Sequence, residues 1–277
     1  MAAVSMFDMA TVRIALLYGT LMATTLDMPA LAQWLNYPTP GVPKTPDGLP
    51  DLTAPTPRTG DGRPDLSGLW MPQDTLRPSV DGIQLFTGLY ADVGTGMKGG
   101  VPYQPWAAEL VRKRKQDNHK DQPDGKCLPL SPVQLHTHPS AKRMVQTPGL
   151  LIILDERWTN FRLIYTDGRP LPVDPQPSWL GYSTAKWDGD TLEVRTNGLK
   201  DDTYLDYIGS TMTSAGKMTE RFRRVNYGNL DVEITIDDPK AYTKPWTIVV
   251  RQSVMLDTDL LEGFCENEKD QTHMLGK

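Results

Sequence analysis

Residues 146–196 decide the fold, and they read QTPGLLIILDERWTNFRLIYTDGRPLPVDPQPSWLGYSTAKWDGDTLEVRT. Apolar runs of strand length alternate in this stretch with turn residues, and several runs have a period close to two. Two Asp-Gly dipeptides, Asp167-Gly168 and Asp188-Gly189, are typical of tight hairpin turns. The stretch therefore predicts four consecutive antiparallel strands, at Leu150–Leu154, Phe161–Tyr165, Trp179–Trp187 and Asp190–Thr196.

Three more strands are predicted in the second half of the chain, at Lys217–Val225, Leu230–Ile236 and Trp246–Val254. Leu260–Cys265 is a candidate last strand. Strands at this short spacing, with almost no helix among them, predict a mainly β fold that is either an antiparallel barrel or a sandwich. A barrel of about eight strands can enclose one small ligand.

The amino-terminal residues have the layout of a secretory signal peptide over residues 1–32. Ile14–Leu26 is mostly apolar and follows Arg13, and Ala30-Leu31-Ala32 supplies a small-x-small cleavage pattern. This apolar run is too short to span a bilayer as a helix, and no other segment of the sequence is long and apolar enough. We therefore expect an exported chain, periplasmic or secreted, whose mature part begins at Gln33.

Residues 33–142 are expected to form an irregular, extended arm, and residues 143–277 the antiparallel β-barrel domain. The arm is rich in Pro, Gly, Thr and Asp, and an Asp-Gly-x-Pro-Asp-Leu unit occurs twice within it. One short helix is predicted at Pro105–Asp117, because proline suits the first helical turn and an apolar stripe follows it. This helix is expected to pack on the core.

The formal net charge of −5 gives no electrostatic reason to expect a nucleic-acid partner. No phosphate-binding glycine pattern occurs, so the glycine-rich segment Val93–Gly100 is expected to be a flexible linker. No cofactor is expected. The expected partner is a small-molecule ligand or substrate, and a homodimer is left open. No Gly-x-Ser-x-Gly elbow occurs, which excludes an α/β-hydrolase on pattern.

The chain has two cysteines, Cys127 and Cys265. In an exported protein an even pair of cysteines favours a disulfide, and a loop this long makes such a bridge worth roughly 4–5 kcal/mol before any strain. Two buried thiols or a metal pair are the alternatives. Neither cysteine belongs to a CxxC pair, which disfavours a zinc knuckle.

An ordered set of motifs from about Pro64 to the carboxyl terminus resembles a large family of exported bacterial β-rich proteins. The motifs are VQTPG, TDGRPLP, GYSTAKWDGDTL, TERFRR, TIDDPKAYTKPWT and CEN. The resemblance implies export, a single β-rich domain and the two cysteines, and it implies no activity. The strand pattern also resembles lipocalin-like (calycin) barrels, and this analogy narrows the expected fold to an antiparallel meander barrel.

The sequence departs from the family at one place. Many members have Gly-His-Pro-His-x-Glu before the TERFRR strand, whereas this chain has Gly-Ser-Thr-Met-Thr-Ser at Gly209–Ser214. Both histidines and the carboxylate are absent here. Any chemistry that these residues perform in the family is therefore either absent from this chain or performed by residues at other positions.

His136-Thr137-His138 is the one His-x-His in the sequence. In an extended segment both imidazoles would point to one face and could share a metal, with Glu156 or Asp206 as a third ligand. Loops flanked by proline also hold such pairs by chance. We therefore expect no metal and keep the pair as a weak candidate.

Acid–base chemistry needs titratable side chains in a water-poor pocket. The pocket is expected between the proline-rich loop Arg169–Ser178, the strand Trp179–Trp187 and the segment Lys200–Ser214, because a stiff loop, large aromatics and acidic residues would meet there. Ordinary packing of a β domain is the alternative for each residue. The candidate catalytic residues are Asp206, Tyr204, Tyr182, Arg162, Arg169 and His138, and the candidate ligand-binding residues are Trp179, Trp187, Tyr165 and Glu220.

Two functions of different class follow. The first is an exported enzyme of lyase, isomerase or hydratase type acting on a small, largely apolar substrate in the barrel. In it, Asp206 or Tyr204 would transfer the proton, and Arg162 or Arg169 would hold the developing negative charge. The second is a non-catalytic exported protein that binds a small ligand. Titratable groups that converge in one pocket would distinguish the enzyme from the binding protein.

Overall fold

The computed structural model describes residues 37–73 and 88–263. The compact unit begins at Thr39. The predicted signal peptide over residues 1–32 and Cys265 lie outside the described residues, so export and the disulfide with Cys127 stay predictions.

Nine of the strands form a closed barrel, which agrees with the expected mainly β class. Going round the barrel, the order is β1, β11, β10, β9, β6, β5, β4, β3 and β2. A separate two-stranded sheet consists of β7 (Thr203–Tyr204) and β8 (Thr211–Met212). The barrel strands are β1 (Gly68–Pro72), β2 (Lys142–Thr147), β3 (Leu150–Asp155), β4 (Phe161–Tyr165), β5 (Tyr182–Asp188), β6 (Thr191–Asn197), β9 (Lys217–Arg224), β10 (Asn229–Asp237) and β11 (Trp246–Val254).

Alternation along the strands builds the core. In β10 the buried side chains are those of Leu230, Val232, Ile234 and Ile236, while the residues between them face outward. Each aliphatic side chain that is fully buried stabilises the fold by about 1.5–3 kcal/mol. The period of two in the sequence therefore correctly predicts which face of the strand forms the barrel interior.

The barrel departs from an all-antiparallel meander at one pair. β4 and β5 run parallel, with Ile164 opposite Ser183 and Tyr165 opposite Thr184. This register places the last residues of β4 beside the first residues of β5, so the proline-rich connection over residues 166–181 begins and ends at the same level of the barrel. Because proline cannot donate to a sheet, this connection adds no strand of its own.

The segment predicted as an arm supplies one barrel strand. β1 pairs antiparallel with both β2 and β11, and so closes the barrel. The strand has only five residues and ends on Pro72, which is why its alternation is too short to stand out in the sequence. The barrel therefore extends across the predicted domain boundary at residue 143.

Three helices occur in the described part of the chain: α1 (Gly88–Ala91), α2 (Pro105–Gln116) and α3 (Pro132–Thr137). The longest, α2, confirms the predicted helix. Short 3-10 turns lie at Asp124–Lys126 and Arg157–Thr159. None of the described helices has the length and apolar character needed to cross a membrane.

Helix α3 closes one end of the barrel, which we call the plugged end. All six of its residues are buried, and a capping box between Ser131 and Gln134 fixes its first turn. The side-chain amide of Gln252 on β11 donates to the carbonyl of His136 at 2.8 Å. The opposite end, where the β2–β3, β5–β6 and β9–β10 turns lie, is called the hairpin end.

The repeated unit of the arm is also a structural repeat. Its two copies, Pro43–Leu52 and Pro57–Leu66, form the same turn. In the first copy Gly48 N donates to Thr45 O at 2.9 Å, and in the second Gly62 N donates to Thr59 O at 2.9 Å. The first copy leads into a segment that docks on the β9–β10 turn, and the second lies at the hairpin end.

Candidate functional site

A cavity of about 610 Å³ opens at the hairpin end. Its apolar lining consists of Trp187 on β5 together with Leu151 on β3 and Leu192 on β6, whose side chains are almost completely buried, and the turn Thr59–Arg63 of the second arm copy forms its rim. Small-molecule sites usually have volumes of roughly 300–1,000 Å³ and mainly apolar walls. The cavity therefore has the size and surface of a site for a small organic ligand.

The rim turn is attached to the barrel through Gln146 on β2. The side-chain oxygen of Gln146 accepts from Leu66 N at 2.8 Å, and its amide nitrogen donates to Pro64 O at 3.2 Å. Arg224 on β9 adds a hydrogen bond from its guanidinium to Asp65 O at 2.6 Å. The rim is thus held in place by two different barrel strands.

One pair of ionisable side chains lies at this rim. Arg63 Nε is 3.4 Å from Asp61 Oδ2, and the guanidinium carbon lies 5.5 Å from the ring centroid of Trp187. The Thr59 hydroxyl donates to Asp61 and lowers the pKa of that carboxyl, so Asp61 is ionised at neutral pH. Both charged side chains are exposed and screened by water.

A second polar group of residues, which we call the lumen cluster, lies inside the barrel towards the plugged end. It consists of Arg162, Glu220, His136, Ser183 and Thr196, all buried. Arg162 donates to both carboxylate oxygens of Glu220 and to the hydroxyls of Ser183 and Thr196 at 3.1 and 2.9 Å. His136 Nε2 lies 3.0 Å from Glu220 Oε1.

In the lumen cluster, burial and the charge of Arg162 shift the pKa of Glu220 in opposite directions. Burial raises the pKa of Glu220, but the charge and hydrogen bonds of Arg162 outweigh it and hold that pKa well below its usual range. Burial lowers the pKa of His136, which is therefore neutral at pH 7. The cluster is thus an ion pair that is hydrogen-bonded on several sides and has no exposed member.

His138 belongs to a different buried group at the plugged end. Its Nδ1 lies 3.0 Å from Ser140 Oγ, and Ser140 Oγ donates to Asp155 Oδ1 at 3.0 Å. Burial lowers the pKa of His138 to about 3 and raises that of Asp155 to about 6. The serine lies between the histidine and the aspartate and gives its proton to the aspartate, so this is not the order of a catalytic triad.

The expectation that His136 and His138 point to one face does not hold. His136 ends up in helix α3 and points to Glu220, whereas His138 follows the helix and contacts Ser140. Across residues 37–73 and 88–263, no group of three His, Cys, Asp or Glu side chains could hold a metal ion. The period-two argument failed because His136 and Thr137 lie in the last turn of helix α3 rather than in an extended segment.

Asp206 is completely buried in the loop between β7 and β8. It accepts from Ser210 N at 2.7 Å, Ser210 Oγ at 2.6 Å and Val93 N at 3.0 Å. Burial raises its pKa to about 6. The nearby Tyr204 is covered by Arg114, whose guanidinium carbon lies 4.0 Å from the ring centroid. Both predicted proton-transfer residues therefore hold loops together in this structure.

Tyr165, Tyr182 and Arg169 meet on the outer face of the barrel. The two tyrosine rings stack at 5.4 Å, and Arg169 lies 3.8 Å above the ring of Tyr165 and donates to Tyr182 Oη at 3.3 Å. Trp179 contacts Lys200, with 4.8 Å between Nζ and the ring centroid. The proline-rich loop borders a cleft of about 240 Å³ on this outer face, which is separate from the cavity at the hairpin end.

The predicted site residues thus lie in separate parts of the structure rather than in one pocket. The structure brings Arg162 together with Glu220, and Arg169 together with Tyr182, but it brings neither pair to Asp206. Of the predicted residues, Trp187 lines the large cavity. Sequence reasoning missed Arg63 and Gln146. A signal for Arg63 was present, because the repeated arm unit has leucine at the matching position of its first copy, Leu49.

A comparison of the chain with protein-family models, curated proteins and solved structures finds no match. The resemblance to exported bacterial β-rich proteins therefore remains an expectation from the motifs.

Proposed function

We propose that the chain binds a small, largely apolar molecule in the cavity at the hairpin end and performs no chemistry on it there. The observation behind this proposal is the cavity itself, with a volume of about 610 Å³ and the side chains of Leu151, Leu192 and Trp187 in its walls. Aromatic and aliphatic walls give contact area at low entropic cost. The rim turn is held by Gln146, which reduces the ordering needed when a ligand binds.

Binding is favoured over catalysis because the titratable groups do not converge at the cavity. A general acid or base needs a shifted pKa within reach of the substrate. The groups at the rim, Asp61 and Arg63, are exposed and paired with each other. The buried carboxyls of Asp206 and Glu220 are occupied by hydrogen bonds from other parts of the chain.

The acid–base enzyme of lyase, isomerase or hydratase type is the second candidate. One observation favours it: His136 and Glu220 form a hydrogen-bonded pair inside the barrel, and His136 Nδ1 has no partner in the described part of the chain. Such a pair could move a proton if the plugged end opened. Full turnover of a substrate by Glu220→Gln would eliminate this candidate.

The binding proposal is tested with a neutral fluorescent probe, N-phenyl-1-naphthylamine. Trp187→Leu keeps an apolar side chain in the wall and removes the ring, so the dissociation constant should rise roughly tenfold, which corresponds to the loss of one aromatic contact. Trp179→Leu is the matched control, since Trp179 lies on Lys200 away from the cavity, and should change the constant less than about twofold.

Absence of probe binding to the wild-type protein, or equal losses in the two variants, would contradict the proposal. Circular dichroism and thermal unfolding of both variants check that each is folded.

We also propose that the chain is exported and that Cys127 and Cys265 are bonded. The proposal rests on the apolar run Ile14–Leu26, the cleavage pattern Ala30–Ala32 and the even cysteine count. The intact mass of protein collected from the periplasm or medium should match residues 33–277 without the two thiol hydrogens. The mass of the full-length chain would refute export. A mass that includes both thiol hydrogens would refute the disulfide.

A further inference from the structure

The two arm copies provide an internal comparison for the rim of the cavity. Pro43–Leu52 and Pro57–Leu66 share the same backbone hydrogen bonds, including Asp51 N to Pro43 O at 2.8 Å and Asp65 N to Pro57 O at 2.9 Å. Each copy also carries one isolated strand bridge, Lys44–Pro50 in the first and Arg58–Pro64 in the second. The turn is therefore built by the residues that the copies have in common.

The non-conservative differences between the copies are at the residues that face the cavity. Pro46 of the first copy corresponds to Gly60 of the second, and Leu49 corresponds to Arg63. Gly60 and Arg63 both line the cavity, whereas Leu49 is 62% exposed on the surface. Because the first copy forms the same turn with leucine, the turn does not need an arginine at this position.

The guanidinium of Arg63 has N–H donors that its ion pair with Asp61 leaves unused. Its side chain is half-exposed, and in the described part of the chain it has an ion pair at 3.4 Å with Asp61 but donates no hydrogen bond. It lies 5.5 Å from the ring of Trp187, the aromatic wall of the cavity. A Cβ at Gly60 would meet nothing within 4 Å, so the approach beside Arg63 is open.

We propose that Arg63 recognises an anionic group, so that the ligand of the cavity is an amphipathic anion. Its apolar body would pack on Trp187, Leu151 and Leu192, and its carboxylate, sulfonate or phosphate would accept hydrogen bonds from Arg63 at the rim. Charge-assisted hydrogen bonds from arginine to such groups are strong and directional. This inference rests on the proposed binding function and adds the chemical class of the ligand.

The test compares two probes that share their ring systems. 8-Anilinonaphthalene-1-sulfonate carries an anion, and N-phenyl-1-naphthylamine is its neutral counterpart. Arg63→Leu installs the residue that the first copy tolerates, so the turn should still form. We expect this variant to raise the dissociation constant for the sulfonate about tenfold and that for the neutral probe less than about twofold. Leu49→Arg, which changes the corresponding exposed position, should leave both constants unchanged.

The outcomes separate the two proposals. If Arg63→Leu weakens the binding of both probes equally, or of neither, Arg63 does not recognise the anion. The binding function still stands in that case, as long as Trp187→Leu weakens binding of the neutral probe. If Arg63→Leu strengthens binding of the sulfonate, Arg63 hinders the anion rather than recognising it, and the inference is wrong. If the neutral probe does not bind the wild-type protein at all, the binding function itself fails.

Discussion

At the residue scale, burial gives several polar side chains a structural role that their type alone does not reveal. Asp206 is a carboxylate that could act as a general base, yet in the described part of the chain it accepts its hydrogen bonds from Ser210 in its own loop and from Val93. Arg162 and Glu220 likewise use their charges on each other inside the barrel. Breaking such a buried pair by removing one partner typically costs about 3–5 kcal/mol, because the other charge is left uncompensated.

Asp206→Asn should change the pH dependence of stability in a defined direction. Burial raises the pKa of Asp206 to about 6, above its value in the unfolded chain. The folded state therefore binds this proton more tightly, and the resulting stabilisation is complete below the unfolded pKa and is lost as pH rises through about 6. Between pH 7.5 and pH 5, the wild-type protein should gain about 1 kcal/mol more unfolding free energy than Asp206→Asn.

Urea unfolding of both proteins at the two pH values measures this difference. Asp190→Asn, at an exposed carboxyl paired with Arg58, serves as the control and should follow the wild-type protein. Parallel pH profiles for the wild-type protein and Asp206→Asn would mean that Asp206 titrates as it does in the unfolded chain.

At the scale of elements, the arm is attached to the barrel by backbone contacts at the β9–β10 turn. Tyr227 N donates to Ala54 O and Gly228 N donates to Leu52 O, both at 2.9 Å. The close approach depends on glycine, since a Cβ at Gly228 would lie 2.7 Å from Leu52 Cβ and 2.9 Å from Leu52 O. At this turn the arm and the barrel therefore meet through the main chain, whereas the rim is held by the side chains of Gln146 and Arg224.

Gly228→Ala should loosen the arm without unfolding the barrel. The added methyl group must displace the backbone at Leu52, so trypsin should cleave after Lys44 and Arg58 faster than in the wild-type protein. Gly125→Ala is the matched control, because a Cβ there meets nothing within 4 Å. Equal cleavage rates in the two variants would show that the arm does not depend on this contact.

At the scale of the whole molecule, periodicity predicted most of the barrel and little of the site. Strands such as Trp246–Val254 were predicted correctly because one face of each is buried, which imposes strict alternation. The short strand Gly68–Pro72 and the parallel β4–β5 pair depend on closure of the barrel, which no local pattern encodes. The cavity combines residues of the β5–β6 hairpin with residues of the arm that are distant in sequence, so the local pattern could suggest Trp187 but not Arg63 beside it.

The most direct test of the central claim is a crystal structure of the protein with bound 8-anilinonaphthalene-1-sulfonate. We expect density for the rings between Trp187, Leu151 and Leu192 at the hairpin end, with the sulfonate within hydrogen-bonding distance of Arg63. Density for the rings on the outer face beside Arg169 or at the plugged end would contradict the claim that this cavity is the ligand-binding site. The absence of density for the rings would contradict it as well.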